Sequence, residues 1–114
     1  MYGLSVRWSL TGAPTDSLQA LKDYVEDESF RRFAALDGLR FKTWRAREGE
    51  WFEGTYVFVS DAARAAFQAQ MEADPAGLPA SKMIGSPPVL IEPYEVVGVV
   101  RGPSGFRSAS RFEA

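Results

Sequence analysis

The chain has 114 residues, 46% hydrophobic and 25% charged, with a formal charge of -2, which places it among single globular domains. An acidic balance of this kind lacks the Lys and Arg excess that neutralises phosphates, so nucleic acid is excluded as an expected partner. The sequence contains no Cys, His or Asn, which excludes disulfides, thiolate nucleophiles, Cys-based zinc sites and Ser-His-Asp catalysis; no metal and no cofactor are expected.

Tyr2, Leu4, Val6, Trp8 and Leu10 alternate with Gly3, Ser5, Arg7 and Ser9, the period of a strand with one apolar face. The first residues lack the basic and long apolar regions of a secretory signal, and the apolar run around Val96 to Val100 is too short to cross a bilayer. A cytoplasmic location with no membrane partner is therefore expected. Thr11-Gly12-Ala13-Pro14 breaks the chain, and Thr15, Asp16 or Ser17 can cap a helix carrying Leu18, Leu21, Tyr24 and Val25. That helix is expected to reach about Phe33, with an interruption near Ser29.

Asp37-Gly38 marks a turn before two extended runs, Leu39 to Arg47 and Trp51 to Val59, which form a hairpin around Glu48-Gly49-Glu50. Ser60 or Asp61 caps a second helix with Ala63, Ala66, Phe67 and Met71 on one side, ending before Asp74-Pro75. Leu78 to Gly85 reads as a short helix or an irregular crossover. Pro87-Pro88 opens a last apolar run, Val89 to Val100, where Pro93 points to an edge strand with a bulge. The apolar pattern stops after Gly102, which predicts a domain over 1–102 and a flexible tail over 103–114.

The order strand, helix, strand, strand, helix, strand suits an α+β, ferredoxin-like βαββαβ fold: an antiparallel sheet in order 4-1-3-2 with both helices on one face. A two-residue Gly49-Glu50 turn would set Glu48 opposite Trp51 and Thr43 opposite Tyr56. The helix side then collects Leu39, Phe41, Thr43, Phe52, Tyr56 and Phe58 with Leu4, Val6, Trp8 and Leu10. The other side receives Ser5, Arg7, Ser9, Lys42, Trp44, Thr55, Val57 and Val59, partly too apolar to stay wet, so a second copy is expected to cover it as a homodimer. A slip of one residue would carry Trp44 into a helix-side pocket.

Three stretches, Gly38-Leu39-Arg40-Phe41-Lys42-Thr43-Trp44, Gly54-Thr55-Tyr56-Val57-Phe58, and Ile84-Gly85-Ser86-Pro87-Pro88 with Ile91-Glu92, resemble the YdhR-like monooxygenase family of the dimeric α/β-barrel superfamily. The likeness runs over roughly residues 2–101 in element order. It implies a homodimer whose sheets form a shared barrel, with a pocket in each subunit between sheet and helices. It also implies a choice of activities, since that superfamily includes cofactor-independent oxygenases of aromatic polyketides, haem-degrading enzymes and polyketide cyclases. Where oxygenases of the superfamily set Asn or His beside Trp and Tyr, this chain has neither.

A cofactor-free oxygenase needs an ionisable phenol or enol as substrate, a group that takes its proton, and a dry site for the anion. Tyr56, Trp8, Phe41 and Phe58 offer an aromatic wall for a planar ligand, with the Tyr56 hydroxyl as its directional group. Glu92 and Glu95 flank Pro93-Tyr94, and Glu95 in an apolar surround would serve as the base. Arg7 and Lys42 either stabilise an anion or pair with Glu53 or Glu95, and Trp44 either packs a dimer interface or lines the pocket. Glu26, Asp27 and Glu28 read as a solvated helix face and not a metal site.

Two functions follow. One is a cofactor-independent monooxygenase, or a related polyketide cyclase, acting on a small aromatic or polyketide-like compound. The other is a non-catalytic dimeric protein that holds a small apolar ligand, which the missing His and Asn favour. An enclosed pocket of roughly 300 Å³ or more beside Tyr56 would support either.

Overall fold

The structure, a computed structural model, describes residues 1–111. Its central strand is β1 (Tyr2–Ser9), whose alternation buries Leu4, Val6 and Trp8 on one face. β1 pairs antiparallel with β3 (Trp51–Phe58) on one side and with β4 (Leu90–Glu95) on the other, and β2 (Leu39–Arg47) pairs with the outer edge of β3. The resulting four-stranded sheet has the order β2-β3-β1-β4, the order expected from the element sequence.

The helices all pack on the Leu4, Val6, Trp8 face. They are α1 (Ser17–Tyr24), continued through a π-helical turn at Val25–Ser29 into α2 (Phe30–Ala34), then α3 (Asp61–Ala73) and α4 (Pro79–Ile84). Leu21, Val25, Phe33, Phe67, Met71, Ala80 and Ile84 meet Leu4, Val6, Trp8, Phe52, Tyr56 and Phe58 in one core. α3 begins where Ser60, in extended conformation, accepts a hydrogen bond from the Ala63 N–H at 3.1 Å. The predicted interruption near Ser29 is the π turn, and the stretch before Gly85 is a true short helix stopped by that glycine at φ 93°. Among the described residues no helix is long and apolar enough to cross a membrane. Of the tail expected over 103–114, the last three residues lie outside the described part; Arg111 bridges to Asp23 and Glu26.

Pro93 sits on an edge strand, as its missing N–H requires, but without a bulge, since β4 runs in unbroken register from Tyr2↔Glu95 to Arg7↔Leu90. The Val96 N–H donates to the Met1 carbonyl at 2.9 Å, so the two-residue alternation of ladder bonds leaves the Pro93 nitrogen facing outward.

The hairpin departs from expectation in a way that decides the site. β2 and β3 close through three residues, Glu48-Gly49-Glu50, with Arg47 opposite Trp51 and Gly49 at φ 74°. Thr43 therefore faces Thr55, and Lys42, not Thr43, faces Tyr56. A shift of one residue exchanges the faces of a strand. Lys42 and Trp44 move to the helix side, while Phe41 and Thr43 move to the other. A bulge at Arg40, between Leu39 and Phe41, returns Leu39 to the helix side opposite Phe58.

The helix-free face carries Phe41, Val57 and Tyr94 around a charged knot. Glu53, 2% exposed, is held by Arg7 at 2.8 Å and by Arg45 at 2.5 Å, with both guanidiniums over the Trp51 ring. Tyr94 lies across Gly3, where any Cβ would stand 2.0 Å from its ring.

Candidate functional site

The register places two polar side chains of neighbouring strands side by side under the helices. Lys42 and Tyr56 are cross-strand partners, and the Lys42 Nζ–H donates to Tyr56 Oη at 2.9 Å. The Tyr56 ring is 1% exposed, wedged between Phe33, Phe58 and Phe67 at centroid distances of 5.6, 6.2 and 4.8 Å. Gly54, the next residue of β3 on this face, leaves the space for its hydroxyl: a Cβ there would stand 2.9 Å from Oη.

Lys42 is half-buried along its stem, but its amine lies among rings: 3.4 Å from the Phe33 centroid, 4.3 Å from Tyr56 and 4.6 Å from Trp44. Among the described residues it has no ion-pair partner. Burial, and secondly the Arg32 guanidinium, push its pKa well below the ordinary lysine value. The rings work against this, by about 2 kcal/mol for a desolvated cation. Stripping water from an ammonium costs several kcal/mol, so the neutral amine gains ground overall. The Tyr56 phenol moves in the opposite sense: burial raises its pKa, Arg32 draws it back in part, and Tyr24 adds to the rise. The site thus holds a neutral hydroxyl beside an amine that is easily deprotonated.

The pocket lies between this pair and the helical segment, with Tyr24, Val25, Ser29, Arg32 and Phe33 on one side and Met71 and Leu78–Ala80 on another. The π turn widens the helix at Val25 and Ser29 and sets the angle at which Phe33 comes down over Lys42. Trp8 forms the rear wall; its Nε1–H donates to Ser81 Oγ at 2.9 Å, and that hydroxyl donates to the Pro75 carbonyl at 2.6 Å. The indole's polar atom is therefore satisfied by the protein itself. The void is about 50 Å³, well short of the roughly 300 Å³ expected from the sequence for an enclosed ligand pocket. A more open groove of about 270 Å³ beside α4, lined by Ser81, Lys82, Ser86 and Pro87, contains no comparable buried ionisable pair.

Of the residues singled out from the sequence, Tyr56, Trp8, Trp44 and Lys42 meet at this pocket. Phe58 is stacked behind Tyr56 and does not reach the wall. Phe41 sits on the opposite face against Val57, because the hairpin turns through three residues and not two. Arg7 is on that face too, committed to Glu53. Glu95 is exposed at the end of β4, opposite Tyr2, with β1 between it and the pocket's strands. Among the described residues no carboxylate lines the pocket; the proton-accepting group there is an amine. Arg32 and Phe33 were missed by sequence reasoning, which placed an interruption near Ser29 without its π-helical form; a lysine between Phe41 and Trp44 would have signalled the site had the register been known. Among the described residues no cluster of three or more Asp and Glu could hold a metal ion.

No family model matches the chain, and no curated protein matches it. Among solved structures it is similar to a protein of unknown function from Nitrosomonas europaea, with TM-score 0.61 and 23% identity over 89% of this chain and 93% of that one. This likeness shows the fold: a small α+β domain with a four-stranded antiparallel sheet and helices. A protein from Agrobacterium tumefaciens aligns with TM-score 0.47 and 20% identity over 82% of this chain and 89% of that one.

Proposed function

We propose that this chain is a small-molecule enzyme that deprotonates a weakly acidic planar compound, such as a phenol or an enolisable ketone, and works as a cofactor-independent monooxygenase or a related cyclase. The observation that carries the reading is the Lys42–Tyr56 pair: a desolvated amine with no carboxylate partner, hydrogen-bonded to a neutral phenol inside an aromatic pocket. The amine lone pair takes the substrate proton, and the ammonium so formed sits among three rings and next to the anion it created. The buried Tyr56 hydroxyl then faces that anion where little water competes, and the exposed Arg32 adds its charge from the pocket lining. In the oxygenase form an activated CH2 becomes a carbonyl, with one oxygen atom of O2 entering the product and the other leaving as water. The electrons come from the substrate, so no cofactor is called for.

A void of about 50 Å³ is small against the few hundred Å³ of drug-sized ligand sites, which favours a single-ring substrate entering from the open side over a fused polyketide. The same reading takes the helix-free face, with Phe41, Val57 and Tyr94, as the surface on which a second copy docks to make a dimeric barrel.

Oxygen uptake with a panel of single-ring and bicyclic phenols and enolisable ketones, without added cofactor or metal, tests the proposal. Uptake that is lost in Lys42→Met supports it. Tight binding of these compounds, followed by intrinsic tryptophan fluorescence, with affinity indifferent to pH and no uptake, would instead establish the second reading, a non-catalytic binding protein that holds its ligand against Trp8 and Trp44.

A further inference from the structure

Lys42 and Arg32 stand over the same ring. The Lys42 amine is 3.4 Å from the Phe33 centroid and the Arg32 guanidinium carbon 5.1 Å from it, and among the described residues neither has an ion-pair partner. Elsewhere among the described residues the cations are either answered, Arg7 and Arg45 by Glu53, Arg47 by Glu50, Arg64 by Asp61 and Arg111 by Asp23 and Glu26, or left in water, as Lys22, Arg31, Arg40, Lys82, Arg101 and Arg107 are; Arg32 is exposed too, but it shares the lining of the pocket with Lys42. Two unanswered cations beside one pocket call for an anionic ligand. One of the two is also a nucleophile with a hydroxyl 2.9 Å away.

From this geometry we infer that Lys42 forms an imine with a small carbonyl compound bearing a carboxylate, a 2-oxo acid, whose carboxylate is held by Arg32. The Lys42 lone pair makes a C–N bond to the carbonyl carbon as the C–O π pair moves to oxygen. Tyr56 passes a proton from the nitrogen to that oxygen, giving a neutral carbinolamine. The nitrogen lone pair then expels the hydroxyl, which leaves as water with the Tyr56 phenol proton as the C=N bond forms, and the iminium N–H returns that proton to the Tyr56 oxygen to give the neutral imine. One water is released, no electrons are gained or lost, and no co-reactant is needed. Burial favours the free-base amine that this step consumes. The inference rests on the pocket assigned above but gives its amine a covalent task, where proton transfer alone would leave no bond.

The chain has only three lysines, Lys22, Lys42 and Lys82, and the first and last are exposed. The wild-type chain is incubated with phenylpyruvate, or with pyruvate as the smaller probe, at neutral pH and treated with borohydride, which reduces an imine to a stable secondary amine. Peptide mass mapping then locates the adduct. Label at Lys42 about ten-fold above Lys22 and Lys82 is the expected result, falling about ten-fold in Arg32→Gln and in Tyr56→Phe. Equal labelling of the three lysines, or none at Lys42, overturns the inference. Phenol binding measured on the same preparation separates the two readings: binding without trapping removes the imine and leaves the proton-acceptor role, whereas trapping without phenol binding does the reverse.

Discussion

Lys42 should make the stability of this protein depend on pH in a direction opposite to that of a lysine held in an ion pair. Its pKa is lowered in the folded state by burial and by Arg32, while in the unfolded chain it returns to about 10.4, the ordinary lysine value. Between the depressed folded value and about 10.4 the unfolded state therefore binds one more proton than the folded state, and stability rises with pH there. For a single proton the slope approaches about 1.4 kcal/mol per pH unit inside the window and vanishes on either side. Tyr56 acts in the other direction, since its raised pKa lets the unfolded chain ionise first, but only above about pH 10, where an ordinary phenol titrates. Below that point the amine is isolated. Urea unfolding of the wild type and of Lys42→Met, compared from pH 6.5 to 9.5 (about the range free of both carboxylate and phenol titration), should show the stability difference shifting toward the wild type by about 1 kcal/mol per unit within the window. Curves that stay parallel across the whole range would refute the claim that the amine is desolvated and unpaired.

Gly54→Ala puts a Cβ 2.9 Å from Tyr56 Oη and displaces the Lys42 hydrogen bond; a loss of about 1–3 kcal/mol in urea unfolding and weaker ligand binding are expected. Trp8→Phe removes the donor to Ser81 while Ser81 keeps the Pro75 carbonyl, so a loss of about 1 kcal/mol is expected, with binding at the pocket retained. Val57→Asp sets a charge on the helix-free face, outside the core on the helix side; if a second copy docks there as proposed, light scattering should show a dimer for the wild type and a monomer for the variant, with far-ultraviolet circular dichroism as the check that the variant is folded.

The parts of the fold that were legible from the sequence are those where one physical signal acts alone. β1 has a clean two-residue alternation, with Leu4, Val6 and Trp8 all inside. Ser60 caps α3 just before the apolar spacing of Phe67 and Met71 begins. Sheet order then follows from chain connectivity and the number of elements. β2 carries two signals that conflict. Leu39, Phe41 and Thr43 look like an inward set at period two, yet the bulge at Arg40 breaks that period, so Leu39 and Trp44 face the helices while Phe41 does not. Glu48-Gly49-Glu50 can close in two residues or in three, because a glycine permits the left-handed conformation in either case. Arg32 and Phe33 were illegible for a related reason: the π turn adds a residue to one turn of helix and rotates all that follows relative to a straight α-helical reading.

These two irregularities, one extra residue in a hairpin and one in a helix, make the chemistry of the site. With a two-residue turn, the partner of Tyr56 would be Thr43, and the pocket would hold two hydroxyls and no group able to take a proton near neutral pH. With three, the partner is Lys42. The widened helix then brings Phe33 over the amine, shielding it from water, and leaves Arg32 beside it as a second cation, so that solvation and charge both favour giving up the proton. A carboxylate here would have ion-paired with the amine and kept it protonated. An amine among rings, hydrogen-bonded to a phenol, remains available to a ligand that is itself acidic or carbonyl-bearing.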